Sequence, residues 1–338
     1  SAASDVYKRQ TIKRDGTMSE ERFAPPAEKR HCSFERIYFS RGNDPAIYQE
    51  RKAMGAALPE QVVESIDGDF GAAVITFIPN TAETAWYGLM DGLRQYRRDR
   101  VRANILEAAR SGDLDEDLLN HHIMANWPRG EKIAHKDIKM RTFISQEKGR
   151  AQLVSHVYDI TYGVVGEDAT LVALDDSIVR GPTLKTSILK ILGRTNPRKI
   201  VICSTAPQIR YPDCYGIDMA KLGDFIAFNA AISLLRERGQ EAVIDEVYQL
   251  CLSQVDKPKE EVINYVKKIY DPFTPQEISK RIAELLTPAG MKAPVDIVYQ
   301  SIENLHLACP NNKGDWYFTG NYPTPGGNKV VNKAFVNW

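Results

Sequence analysis

The sharpest chemistry in the chain lies in one string, LVALDDSIVRGPT at positions 171–183. An apolar run delivers two adjacent acids, Asp175 and Asp176, to its carboxyl end. In open α/β sheets that is the end at which ligands bind. The residues that follow are small or hydroxylated, and a helical pattern comes next. Backbone N–H groups of such a loop, with the helix N-terminus behind them, form an anion cradle. Ser177 and Thr183 add hydroxyl donors suited to a phosphate. The two carboxylates repel a phosphate but suit sugar hydroxyls or a hard cation such as Mg²⁺. One loop therefore offers a place for a phosphate beside a place for a ribose. The plainer reading is a strand–turn–helix with Asp176 near the helix cap, since paired acids at strand ends are common.

The elements that must position this string follow from hydrophobic periodicity. Phe34, Ile37 and Phe39 interleave with polar residues, which predicts a short strand ending at Gly42-Asn43-Asp44. Helical spacing covers 45–66. The runs AAVITFI (72–78), TLVALDD (170–176) and KIVICST (199–205) predict buried strands. A helix is expected over 147–160 and another over 183–193, and the stretch 132–144 reads as extended. The pattern from 217 to 305 is mostly helical, and the last thirty residues, rich in Gly, Pro and Asn, predict a loop-built tail with exposed aromatics. Strands alternating with helices imply a parallel α/β sheet flanked by helices. Residues 1–30 are polar and charged, which predicts a leader or linker without ordered structure. The charged stretch 83–130 reads as helix-rich.

Composition excludes several classes. In 338 residues, 44 Lys and Arg balance 44 Asp and Glu. A dedicated nucleic-acid binder would carry a basic excess. The basic cluster Arg94, Arg97, Arg98, Arg100 and Arg102 reads as a solvated helix face offset by the acidic run after it. No apolar run is long enough to span a bilayer, so no membrane partner is expected. Five cysteines without tight spacing predict a reducing, cytoplasmic setting.

LVALDDSIVRGPT resembles the phosphoribosyl-pyrophosphate (PRPP) motif of type I phosphoribosyltransferases, most closely the version in the glutamine PRPP amidotransferases. Other segments agree in order: CSFERIYFSRGND (32–44) with the strand at the domain entrance, FIPNTAETA (77–85) with the pyrophosphate loop, MRTFI (140–144) with the end of the flexible active-site loop, APQIRYPDCYGIDM (206–219), and HLACPNNKGDWYFTGNYPT (306–324). The resemblance implies the type I phosphoribosyltransferase fold over 31–240, with a helical insertion at about 88–134 relative to shorter members, and a helical extension and loop-rich tail over 241–338. It implies that Asp175 and Asp176 hold the ribose hydroxyls and Mg²⁺, and that Ser177, Ile178, Val179, Arg180, Gly181, Pro182 and Thr183 cradle the 5′-phosphate. Pro182 stands where the family usually has Thr, which removes one hydroxyl and one N–H. Thr81 matches a position whose hydroxyl helps hold the metal. Lys136 and Arg141 fall in the flexible loop, where positive charge meets the departing pyrophosphate.

The implied reaction is attack of ammonia on PRPP, giving 5-phosphoribosylamine and pyrophosphate, the first step of purine biosynthesis. The family pairs this domain with an N-terminal glutaminase that uses a terminal cysteine. No cysteine precedes Cys32 here, so glutamine hydrolysis is not expected of the chain as it stands. Some members hold a [4Fe–4S] cluster by four thiolates. Cys32, Cys214 and Cys309 sit in the matching segments, but His306 stands near the place of the fourth, so an intact cluster is not expected. Purine nucleotides as inhibitors and a homo-oligomer are implied in the same way. Two other readings stay open: a phosphoribosyltransferase using a free base, and a regulatory protein that binds PRPP or nucleotide without turnover.

Overall fold

The computed structural model describes residues 8–22, 30–136, 158–182, 184–214 and 219–338. The chain forms two compact units, 1–31 and 32–338. In the first, strands β1 (Lys8–Ile12) and β2 (Met18–Arg22) pair antiparallel across a turn where Gly16 takes φ +83°. Its side chains are exposed, as the polar composition requires, but 8–22 is a hairpin where no ordered structure was expected.

The second unit is built on a five-stranded sheet of β3 (Ala73–Phe77), β4 (Arg129–Gly130), β7 (Thr170–Asp175), β8 (Lys199–Ser204) and β9 (Val295–Tyr299), in the order β4-β3-β7-β8-β9. Every neighbouring pair is parallel. Parallel sheets need helices on both faces, so their central strands read as continuous apolar runs. Successive side chains point to opposite faces. Leu171, Ala173, Ile200 and Ile202 enter the larger core, which reaches from Phe34 to Phe335. Val172, Leu174, Val201 and Cys203 enter a smaller core beneath helices α2 (Pro59–Ser65) and α3 (Glu83–Ser111), while α1 (Pro45–Ala56) sends Met54 into the larger one. A separate antiparallel pair, β5 (Ala134–Lys136) and β6 (Tyr158–Ile160), sets Lys136 opposite Tyr158.

Several expectations are corrected. Residues 35–39 form a π-helical turn, Glu35–Phe39, rather than a strand, because their N–H groups close on the segment itself and Phe34 turns into the core. The helix expected over 147–160 meets strand β6 at its end, and 147–157 lies outside the described residues. β9 is a strand inside the stretch read as helical; its five residues are too few to break a helical pattern on both sides. The tail is not loop-built: Pro325–Val336 is a helix, and Trp316, Tyr317 and Phe318 are buried. Arg97 is buried rather than solvated. It donates to the carbonyls of His122, Ile123, Ala125 and Asn126 and lies 4.8 Å over the Trp127 ring. It thereby folds α4 (Glu116–Met124) back onto α3, which begins at Glu83, ahead of the expected insertion. Among the described residues no helix is long and apolar enough to cross a membrane.

Local signals account for the helix ends. The Asp44 carboxylate accepts from the N–H groups of Ala46 and Ile47, and Pro45 fills the first helical position of α1. Thr274 and Glu277 form a capping box at helix Pro275–Leu286. Two glycines set the crossing of α1 and α3. A Cβ on Gly55 would lie 1.7 Å from the Ala85 carbonyl oxygen, and one on Gly88 would lie 1.8 Å from that of Lys52. The helices therefore touch backbone to backbone, which holds the N-terminal end of α3 in place below the sheet's carboxyl edge. Gly88→Ala is expected to destabilise the protein by about 1–3 kcal/mol through overpacking, although Ala is the better helix former. Urea unfolding followed by circular dichroism measures this, and an unchanged or raised midpoint would mean the helices are not in contact there.

Candidate active site

The acids stand where β7 ends. The neighbours of β7 are β3 and β8, so its carboxyl end is the centre of the sheet's carboxyl edge. Asp175 is the last strand residue, and Thr205 N–H donates to its carbonyl at 3.0 Å. Beyond it the chain turns on its own acids. Asp176 N–H donates to Asp175 Oδ1 at 2.9 Å, and Ser177 N–H donates to Asp176 Oδ1 at 2.8 Å. The Thr205 hydroxyl donates to the Asp176 carbonyl at 3.0 Å, which ties the turn to the end of β8.

The loop 177–182 is fixed from behind. The Val179 carbonyl accepts from Ile226 N–H, the Gly181 carbonyl from Lys185 N–H, and the Pro182 carbonyl from the Thr186 hydroxyl. Those contacts remove three acceptors that would otherwise repel a phosphate. Gly181 takes φ +79°, and a Cβ there would lie 2.5 Å from Leu286, so glycine is needed on both counts. Ile178 lines the cleft while its side chain is buried in the core, which anchors the loop. Arg180 lies 3.9 Å from Asp224 at the exposed edge. Pro182 stands in the first helical turn, where a missing N–H breaks no intrahelical bond.

Thr81 is brought to the acids by β3. That strand runs beside β7, and its exit turn leads to α3. The peptide bond between Pro79 and Asn80 in this turn is cis. Thr81 and Asp176 line the same cleft, and the Thr81 hydroxyl is near enough to help hold the Asp176 carboxyl down. Lys136 arrives from β5, with its ammonium 5.9 Å over the Tyr158 ring. A cleft of about 390 Å³ gathers Thr81, Lys136, Asp175, Asp176 and the loop 177–182. Spacing along the chain could not show this meeting, since parallel strands join residues nearly a hundred positions apart. Thr183 and Arg141 lie outside the described residues.

Burial raises the Asp175 carboxyl well above the usual carboxylate range, and the neighbouring Asp176 charge adds to it. Burial also raises Asp176, against the opposing help of Asp175, Ser177 N–H, Thr81 and the Arg51 guanidinium. Two partly dehydrated carboxylates in contact resist carrying two charges. A cation or a set of sugar hydroxyls would relieve that repulsion.

Sequence reading missed part of the wall. Phe34, Tyr38, Phe39 and Tyr158 also line the cleft. Tyr38 and Phe39 were expected to alternate along a strand, and the π-helical turn instead presents both. The signal available was the aromatic run itself.

Cys32, Cys214 and Cys309 are not among the described residues that line the cleft. Cys32 bridges to Gly314. Burial pushes its thiol up to about 12, and Cys214 is near enough to add to the effect. Burial pushes Cys214 up to about 11. Cys309 is buried and also pushed up to about 12, with Glu50 rather than the other two cysteines as its charged neighbour. His306 Nε2 lies 3.3 Å from Asp315. Among the described residues no three His, Cys, Asp or Glu side chains gather as a metal-ligand group.

No family model matches the chain. It is 27% identical over 277 residues to the amidophosphoribosyltransferase of Saccharomyces cerevisiae, a match covering 78% of this chain and 48% of that protein. It is 28% identical to the amidophosphoribosyltransferase of Lachancea kluyveri, covering 80% and 49%. The chain thus spans about half the length of the curated relatives it matches. Among solved structures, the glutamine PRPP amidotransferase of B. subtilis, complexed with ADP and GMP, superposes with a TM-score of 0.52 over 94% of this chain and 52% of that one, at 23% identity. The chain is thus similar in sequence to amidophosphoribosyltransferases, and its parallel sheet flanked by helices is that of the type I phosphoribosyltransferase fold.

Proposed function

We propose that the cleft binds PRPP with Mg²⁺ and transfers its phosphoribosyl group to ammonia, giving 5-phosphoribosylamine and pyrophosphate, the opening step of purine biosynthesis. The observation that carries this reading is the meeting of Asp175, Asp176, Thr81 and the rear-anchored loop 177–182 in one cleft. Ribose hydroxyls fit the acid pair, and the 5′-phosphate fits the loop and the helix start beyond it. The donor set suits Mg²⁺, which binds through one or two carboxylates and takes its remaining ligands from phosphates and water. Asp175, Asp176 and Thr81 would hold it, and it would neutralise charge on the departing pyrophosphate. Lys136 supports the reading by adding a cation on the facing wall. Thr183 and Arg141 keep the roles that the resemblance implies.

The chemistry is displacement at the anomeric carbon. The nitrogen lone pair forms the new C–N bond as the bond to pyrophosphate oxygen breaks, and pyrophosphate leaves with the electron pair. The protein contributes position and charge complementarity rather than a covalent partner. Nucleotides share the phosphoribosyl group, so we extend binding of purine nucleotides to the same cleft.

Purified protein incubated with PRPP, Mg²⁺ and ammonium at alkaline pH is expected to release pyrophosphate in proportion to free ammonia. Asp175→Asn and Asp176→Asn are each expected to lower kcat/KM on the order of 100-fold, as loss of a preorganised electrostatic group does. Release that requires a free base would favour the base-using reading. PRPP binding without release, measured by calorimetry, would favour a regulatory binder.

The same acids predict an inverse effect on stability. A carboxyl raised by burial stays protonated in the folded chain after it has ionised in the unfolded one. Folding stability therefore falls as pH rises from about 4 through the raised value, and the full cost is present above it. Without Mg²⁺ or PRPP, Asp175→Asn is expected to melt above the parent protein at pH 7.5, with the gap closing toward pH 4. Calorimetric scans across that range check both the sign and the pH dependence.

A further inference from the structure

The cleft has an aromatic side whose support lies outside it. Tyr38 and Phe39 line the cleft and are 50% and 58% exposed, so apolar burial does little to fix them. Both belong to the π-helical turn Glu35–Phe39, which closes through Ser40 N–H donating to the Glu35 carbonyl at 2.8 Å. Single π turns recur at functional sites. The last carbonyls of such a turn have no partners inside it.

Arg51 supplies those partners. It sits on α1 and is only 6% exposed. Its Nε donates to the Arg36 carbonyl at 3.1 Å, and its Nη2 donates to the carbonyls of Ser40 at 2.7 Å and Tyr38 at 3.4 Å. One rigid fork thus grips residues 36, 38 and 40. A lysine carries one point of attachment and cannot reproduce that geometry. The preceding residue, Glu50, pairs with the Arg36 side chain, so two successive residues of α1 hold the same turn. Gly42 leaves room for the fork, since a Cβ there would lie 3.2 Å from Arg51 Nη1. α1 is itself immobilised: Gln300 donates to the Met54 carbonyl at 2.7 Å, and Asn304 to that of Ala57 at 2.9 Å. A buried guanidinium is costly unless it is satisfied, and here the satisfying carbonyls all belong to the segment 36–40 that carries Tyr38 and Phe39.

We propose that Arg51 is a positioning residue for the transfer reaction: it fixes the turn that carries Tyr38 and Phe39, so that these rings close the cleft against water while ammonia attacks. The proposal rests on the reading of the cleft as a PRPP–ammonia site. Water is the competing nucleophile. Its oxygen forms the bond to the anomeric carbon, the bond to pyrophosphate breaks, the water proton passes to solvent, and ribose 5-phosphate is formed. Excluding that reaction is a positional task, because it depends on where the rings stand.

Two measurements on Arg51→Met, Arg51→Lys and Gly42→Ala test this. Hydrogen exchange by mass spectrometry reports on the turn, and joint assay of pyrophosphate and ribose 5-phosphate reports on the partition between ammonia and water. For Arg51→Met, exchange at Ser40 is expected to rise roughly 10-fold, the scale of a lost hydrogen bond. KM for PRPP is expected to rise in Arg51→Met, because the guanidinium also helps hold the Asp176 carboxyl down, but to stay within about 3-fold of the parent in Gly42→Ala, which keeps the charge, while the share of PRPP consumed by water rises about 10-fold in Arg51→Met. Arg51→Lys should recover part of both effects. Gly42→Ala, which crowds the fork but keeps it, should move both measures in the same direction and serves if Arg51→Met does not fold. Unchanged exchange at Ser40 would overturn the proposal whatever the activity. Faster exchange with an unchanged partition would overturn it too. If the parent protein consumes no PRPP, the reading of the cleft fails, and the exchange data still decide whether Arg51 holds the turn.

Discussion

The constraint on which the rest of this protein depends is the placement of two adjacent carboxylates at the half-buried end of its central strand. Asp175 and Asp176 repel one another and are both raised by burial. An arrangement of that kind costs folding stability and persists only where surrounding structure enforces it. Here the enforcement is specific. Backbone N–H groups of 176 and 177 cap the acids, the Thr81 hydroxyl reaches Asp176, and Thr205 ties the turn to β8. The strand itself is fixed by apolar residues on both faces. Stability supplied by the core is thereby converted into a site that favours hydroxyls and cations.

The parts around that pair reach it by different routes. Thr81 comes from the strand next door, through a turn whose far side is a helix fixed by the backbone contact at Gly55 and Gly88. Lys136 comes from a separate antiparallel pair. The aromatic wall comes from the beginning of the unit and is gripped by α1. Behind that wall Phe34 packs 5.3 Å from Tyr317, and Ser33 N–H donates to the Gly314 carbonyl at 2.8 Å. The buried aromatics near the carboxyl end of the chain are thus the backing of the cleft's entrance turn.

Much of the loop that follows β7 was legible because its signals are local. A continuous apolar run means a strand covered on both faces, two acids after it mark the carboxyl end, and Gly181 permits the left-handed turn. The errors share a cause. The entrance turn alternates polar and apolar residues as a strand does, yet its hydrogen bonds close on themselves and on Arg51. β9 is short and lies between helical stretches. The tail reads as a loop by composition, but Trp316, Tyr317 and Phe318 are buried by segments far away in sequence.

By itself, the sequence determined the chemistry available: a carboxylate pair, a phosphate-suited loop and the strand that carries them, all set by residue type and near-neighbour spacing. Only the tertiary structure decided which distant groups complete the site. Parallel pairing of β3 with β7 brings Thr81 to Asp176, and one buried guanidinium joins three carbonyls of the entrance turn. The physical reason is that sheet register and side-chain burial act across any sequence separation, whereas periodicity and capping act only within a few residues.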